Sequence, residues 1–218
     1  MKHVVFLHGL GSHGLTMSYL KRYFDINSEY KTHVISYRSL DSSVEGISNY
    51  IISEINRLFL SSDYVCLVGH SLGGLIARKV SRSQSIICKI GKIVTLGTPH
   101  NGAILATKIL DKFSILNLLP IIEELSYKSK SINDLGSTSS DIGVIIGNRI
   151  TTKWNPLMCL GRLILDNESV HDGVVTMREN MLGEAKDTIC LHVDHFNMLW
   201  SEAVARQSLH FINTGMFK

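Results

Sequence analysis

Apolar positions along the chain fall into two rhythms. Short, mostly apolar runs occupy residues 3–7, 64–68, 92–96 and 142–146, and mixed strand-like runs occupy residues 32–37 and 187–193. Runs of this length with β-branched residues predict strands, buried ones at residues 3–7 and 64–68. Between them the apolar residues recur every three or four positions. Met17, Leu20 and Phe24 share one face of a helix that Thr16 is placed to cap. Ile47, Ile51, Ile55, Leu58 and Phe59 share another over residues 43–60, with Glu45, Glu54 and Arg57 outside. Residues 75–80 follow the run at 64–68 as a helix, and residues 194–196 open a terminal one. Strands alternating with helices at this spacing predict an α/β fold with a doubly wound, mostly parallel sheet of about six strands.

The alternation pauses between Gly102 and Ile142. About forty residues there carry Ile104, Leu105, Ile109, Leu110, Phe113, Ile115, Leu116, Leu118, Leu119, Ile121, Ile122 and Leu125, with Pro120 placed to break the run. One reading is an ordinary sheet-covering helix and its connection. The other is a helical cap or lid inserted over residues 103–140, offering an apolar surface to a fatty acyl chain. Residues 148–169 are weakly patterned and read as loop with a short helix near 160–165. No repeat or low-complexity tract interrupts residues 1–218, which are expected to form a single domain.

Composition narrows the class. The chain is 44% hydrophobic and 19% charged, with Lys and Arg in no block. The formal charge of +3 gives no support to a nucleic-acid partner or a polybasic membrane anchor. Cys66, Cys88, Cys159 and Cys190 form no C-x-x-C pair, and Cys66 and Cys190 fall inside strand-like runs, so buried free thiols and a reducing compartment are expected. The first apolar run begins at residue 3 and ends at a glycine turn, too short for a signal-peptide core, and no run reaches membrane-spanning length. A cytoplasmic location is expected, with at most transient contact with a membrane surface.

The candidate chemistry centres on Gly69-His70-Ser71-Leu72-Gly73, a G-x-S-x-G pentapeptide set between a buried strand and a helix. That is the context of a nucleophile elbow, a sharp turn that lifts a serine hydroxyl to the top of a sheet. Gly69 and Gly73 let the strand and helix approach. A serine needs an adjacent base and the base an orienting acid. In a fold of this kind they follow in the order nucleophile, acid, histidine. His195 follows the last strand and is the candidate base; His192, inside that strand, packs or faces outward. Asp172 of the Asp-Gly pair is the candidate acid, with Asp166 and Asp141 in reserve. Asp194 adjoins His195 and is poorly placed to contact its side chain. The oxyanion donors are expected to be the backbone N–H groups of Leu72 and of Leu10, in the turn His8-Gly9-Leu10 after the first strand. His8, His13, His70 and His100 lie near these turns without the spacing of a metal site, and supporting hydrogen bonds or packing are the favoured roles for each. No cofactor is implied.

His8-Gly9-Leu10, Gly69 to Gly74, Gly97-Thr98-Pro99-His100-Asn101-Gly102, Asp172-Gly173-Val174-Val175 and Asp194-His195 resemble, in order, the landmarks of α/β-hydrolase-fold lipases and esterases. The resemblance spans nearly the whole chain and is nearest to small bacterial triacylglycerol lipases and GPI inositol-deacylase-like serine esterases. It implies Ser71 as nucleophile, Asp172 as acid, His195 as base, and Leu10 and Leu72 as oxyanion donors. It also implies that the turn from Gly97 to Gly102 borders the pocket and that the stretch after it acts as a lid; Gly9, His70, Pro99 and His100 are the residues expected to border the substrate. The missing secretion signal, disulfides and HGGG-type oxyanion loop point away from emulsified fat, toward an intracellular esterase or lysophospholipase-like role. The expected activity is hydrolysis of small-molecule esters or lipids through an acyl-enzyme. An acyltransferase or amidase on the same triad, or an inactive lipid-binding module, are the alternatives.

Overall fold

The computed structural model describes residues 1–112, 120–127, 129–150, 156–165 and 170–218. Strands β1 (Lys2–Leu7), β2 (Lys31–Ile35), β3 (Tyr64–His70), β4 (Lys89–Leu96), β5 (Ile142–Gly147) and β6 (Asp187–Leu191) form one sheet. Its order is β2-β1-β3-β4-β5-β6, and every neighbouring pair is parallel. The chain runs one way from β1 to β2 and the other way from β3 onward. The reversal opens a crevice between the carboxyl ends of β1 and β3, where open α/β sheets bind ligands.

Burial on both faces explains the apolar runs of β1, β3 and β5, while edge strands β2 and β6 are only partly buried. Val5, Leu7, Leu67 and Val144 face helices α2 (Val44–Leu58) and α3 (Leu72–Ser81). Val4, Phe6, Val68 and Ile145 face α1 (Ser18–Asn27) and the terminal helix over Glu202–Thr214. Ile47, Ile51 and Ile55 are buried as their spacing predicts, while Leu58 turns outward. Ser43 caps α2 by accepting the Gly46 N–H. Between β4 and β5 lie α4 (Ile104–Lys112), α5 (Pro120–Glu124) and α6 (Lys130–Asn133). Pro120 opens α5 at a first-turn position, where its missing N–H costs nothing. Phe113, Ile115, Leu116, Leu118 and Leu119 lie outside the described residues.

Several expected boundaries move. Gly14–Met17 is a 3-10 turn, so Thr16 lies inside it and bonds back to the His13 carbonyl instead of capping α1. Met17, Leu20 and Phe24 nevertheless form the buried face. The stretch read as mostly loop holds helix α7 over Pro156–Leu165, followed by the short α8 over Met177–Asn180. The terminal helix, α9, starts at Glu202 and not near residue 194, because Asp194 accepts the Phe196 and Asn197 N–H groups and turns the chain into a 3-10 segment, Asn197–Trp200. Cys66 is buried as expected, but Cys190 sits on edge strand β6 and is exposed.

The Phe24 ring meets Phe6 edge-on at 5.2 Å, and both are fully buried. Phe24→Ala should cost about 3–5 kcal/mol. That corresponds to a fall in Tm of roughly 6–20 °C in a chain of this size. A melt within 2 °C of wild type would contradict this packing.

Candidate active site

The elbow is built by close backbone approach. Ser71 has φ 54° and ψ −119°, and it is the single non-glycine residue with positive φ among the described residues. Such a conformation costs about 1–3 kcal/mol and persists only where the surroundings enforce it. A Cβ on Gly69 would lie 2.3 Å from the Gly73 carbonyl oxygen, and one on Gly73 would lie 2.3 Å from that of Leu7. A side chain at either place would push α3 away from β3 and β1. The Ser71 N–H donates to the Leu96 carbonyl at 2.9 Å, and the Thr98 hydroxyl donates to the Ser71 carbonyl at 3.1 Å. The elbow is thereby stitched to β4 and to the turn beyond it.

The turn after β1 lies against Ser71: a Cβ on Gly9 would come within 3.2 Å of the Ser71 Cβ and 3.0 Å of His70 Nδ1. The His8 ring is stacked on Tyr37 and fully buried. Its Nδ1–H donates to the Gly9 carbonyl at 2.9 Å and its Nε2 accepts the Tyr37 N–H at 3.2 Å, a tautomer assigned from these partners. The Tyr37 hydroxyl donates to the His8 carbonyl. Leu10 follows in this braced turn, and Leu72 opens α3, where helix N–H groups have no partner within the helix.

Asp172 and His195 meet although 23 positions separate them. His195 Nδ1–H donates to Asp172 Oδ2 at 2.8 Å, and the His195 N–H donates to the Asp172 carbonyl at 2.9 Å. The other carboxylate oxygen accepts the N–H groups of Val174 and Val175, at 3.0 and 2.8 Å. Both side chains are buried. Gly97, at φ 55°, packs beneath them: a Cβ there would lie 3.0 Å from both Asp172 Oδ2 and His195 Nδ1. Asp141 is exposed at the amino end of β5, the opposite end of the strands from Ser71, and Asp166 lies outside the described residues. His192 is exposed beside Asn148.

Gly9, Leu10, His70, Ser71, Leu72, Pro99 and His195 line one pocket of about 230 Å³. Its other walls are mostly apolar, with Leu105, Ile109, Ile122, Leu125, Val174 and Trp200 among them. His100 does not reach it. The ring is buried on the other side of the turn, where Arg78 Nη1–H donates to its Nδ1 at 3.3 Å and its Nε2 bonds Thr95 Oγ1 at 3.0 Å. The structure thus places His100 behind the turn that holds Pro99, away from this pocket.

Glu179 escaped the reading of the sequence. It is buried, its carboxylate accepts the Ile104 N–H at 2.5 Å and the Thr176 N–H at 2.6 Å, and its backbone carbonyl accepts the Asn101 N–H. The start of α4 is thus fastened to α8. The signal was present: Thr176-Met177-Arg178-Glu179 is a capping box. Burial pushes the Glu179 carboxyl above its usual range, against the bonds to Thr176 and Ile104. Burial also lowers the imidazoles of His8, His70 and His100, with His195 adding to the effect at His70 and Arg78 at His100.

The family described as PGAP1-like alpha/beta domain matches residues 12–212. The chain is 25% identical over 167 residues to triacylglycerol lipase 2 of Saccharomyces cerevisiae, an alignment covering 68% of this chain and 50% of that protein. It thus spans about half the length of that curated relative. Among solved structures, the mature lipase BlEst2 of Bacillus licheniformis superposes with a TM-score of 0.79 at 17% identity, over 97% of this chain and 90% of that one. Phospholipase PlaB of Legionella pneumophila superposes with a TM-score of 0.65 at 17% identity, over 83% and 44%. At such identities the likeness concerns the fold: an α/β-hydrolase sheet with flanking helices.

Three of the buried histidines, His8, His70 and His100, make stability depend on pH. Unfolded, each titrates near its ordinary 6.5; folded, each titrates lower, so unfolding takes up protons. Their contribution is complete above about pH 6.5 and is lost as pH falls below it. Glu179, raised by burial, opposes them with a single group. Thermal melts from pH 8 to pH 5.5 should show a level Tm above about 6.5 and a decline beneath it. A Tm that rises on acidification through this window would contradict the assignment.

Proposed function

This chain belongs to the PGAP1-like alpha/beta domain family, and we propose that it is a serine hydrolase that cleaves carboxylic esters through an acyl-enzyme. The observation that carries the reading is the Asp172–His195 bond at 2.8 Å, buried at the rim of the apolar pocket that Ser71 also lines. In this reading Asp172 fixes the His195 tautomer with the proton on Nδ1, leaving the Nε2 lone pair for the Ser71 hydroxyl. Ser71 Oγ attacks the ester carbonyl as His195 takes its proton. The oxyanion is received by the N–H groups of Leu72 and Leu10. Collapse breaks the bond to the alcohol, which leaves with the proton from His195. Water, deprotonated by His195, then attacks the acyl carbonyl and frees the acid and Ser71.

The substrate follows from the pocket walls. Leu105 and Ile109 of α4, Ile122 of α5 and neighbouring Leu125 offer no hydrogen-bonding side chain, so the enclosed part of the ester is an apolar acyl chain. Residues 103–140 then serve as the cap that supplies this surface, within one domain over residues 1–218. Its described parts are fastened at several points. Ala103 N–H donates to the Leu125 carbonyl, Glu124 accepts the Val44 N–H, and Arg82 donates to the Asp134 and Leu135 carbonyls.

The test is reaction with a fluorophosphonate probe together with turnover of p-nitrophenyl esters. The wild-type chain should label and turn over. Ser71→Ala should do neither, losing on the order of a million-fold in kcat where hydrolysis runs through the triad. Asp172→Asn should lose about 10³- to 10⁴-fold. A Ser71→Ala chain that still labels would falsify the proposal.

A further inference from the structure

We propose that His70 is a positioning residue, the link that sets His195 at a fixed place relative to Ser71, and not a group that binds substrate. This rests on the reading of Ser71 and His195 given above. Three hydrogen bonds hold His195. Two join it to Asp172, one through the ring and one through the main-chain N–H. Those two fix the base to the acid, yet the pair could still shift as a unit against the nucleophile. The third bond removes that freedom. His70 Nε2–H donates to the His195 carbonyl at 2.9 Å. His70 is the last residue of β3 and the immediate neighbour of Ser71, so this bond ties the base to the strand that carries the nucleophile.

The remainder of the ring leaves it little latitude. Its Nδ1 edge lies against Gly9, where a Cβ would approach to 3.0 Å, and its face is tilted 49° to the His195 ring with centroids 4.7 Å apart. It is 3% exposed, so although it lines the pocket it has almost no surface to offer a substrate. One side chain thereby touches the oxyanion turn, the elbow and the base. Burial and the neighbouring His195 hold the imidazole well below its ordinary range, which keeps it the neutral donor that this geometry uses. A displacement of about 1 Å between reacting groups is enough to cost roughly a hundred-fold in rate.

His70→Phe keeps a flat ring and removes the donor; His70→Gln keeps an N–H that can reach the same carbonyl. Both are to be assayed on p-nitrophenyl butyrate, with active sites counted by fluorophosphonate titration, and with Ser71→Ala in parallel. His70→Phe should lose roughly ten- to a hundred-fold in kcat per titrated site. Its KM should stay near that of wild type, and His70→Gln should recover most of the loss. A His70→Phe enzyme with wild-type kcat and a raised KM would overturn the proposal by assigning the ring to substrate. A loss that disappears when rates are divided by titrated sites would overturn it too, by making the residue merely structural. Turnover that survives Ser71→Ala would show instead that the underlying reading of Ser71 is wrong, before any His70 variant is considered.

Discussion

Everything at the top of the sheet depends on how closely two backbones can approach. The first turn of α3 lies against the ends of β1 and β3, and only glycine at positions 69 and 73 permits it, since a methyl group at either would sit 2.3 Å from a carbonyl oxygen. This contact forces Ser71 into the positive-φ conformation and turns its side chain to the crevice. It also fixes the turn after β1, because Gly9 packs against the same serine. Strain at one residue is thus held by packing distributed over three strands and a helix.

Around that constraint the chain places a polar shell inside apolar walls. His8, His70 and His100 are all buried, and each has both sides of its ring accounted for by a carbonyl, an N–H, a hydroxyl, a guanidinium or a close backbone contact. Bonds made in such a water-poor setting are electrostatically stronger than in solvent, and an unmade one is correspondingly expensive. The shell therefore holds its loops in one arrangement. Gly97 at φ 55° carries the same logic to Asp172 and His195, bringing the turn after β4 to within contact of both. The apolar side of the pocket comes from elsewhere, chiefly from α4, α5 and the 3-10 segment before α9. The polar cluster around Ser71 and the apolar walls of the pocket are thus supplied by different parts of the chain, and the walls can vary without disturbing the cluster.

Much of this was legible in the sequence, and the reasons are physical. A parallel strand buried on both faces must be apolar at every position, so β1, β3, β4 and β5 announce themselves. Helices that bury one stripe reveal it by spacing, as at Met17, Leu20 and Phe24. The elbow is legible because its steric requirements leave few residue choices. What could not be read depends on tertiary partners. Thr16 has the chemistry of a cap but bonds back within a 3-10 turn. Asp194 consumes the N–H groups that would otherwise have started the terminal helix. His100 sits beside Pro99 in the turn, yet its ring points to Arg78 and Thr95, a direction no spacing rule encodes. Cys190 reads as a core residue until β6 is known to be the edge strand.

The central claim is that Ser71 carries an acyl group during turnover. Intact-protein mass spectrometry on enzyme quenched in acid during hydrolysis of a p-nitrophenyl ester tests it most directly. The account predicts a population heavier by one acyl group, with the added mass on the peptide containing Ser71, matched by an initial release of p-nitrophenol stoichiometric with enzyme. An acyl group found on another residue would contradict it, as would steady turnover with neither adduct nor burst when deacylation is made rate-limiting.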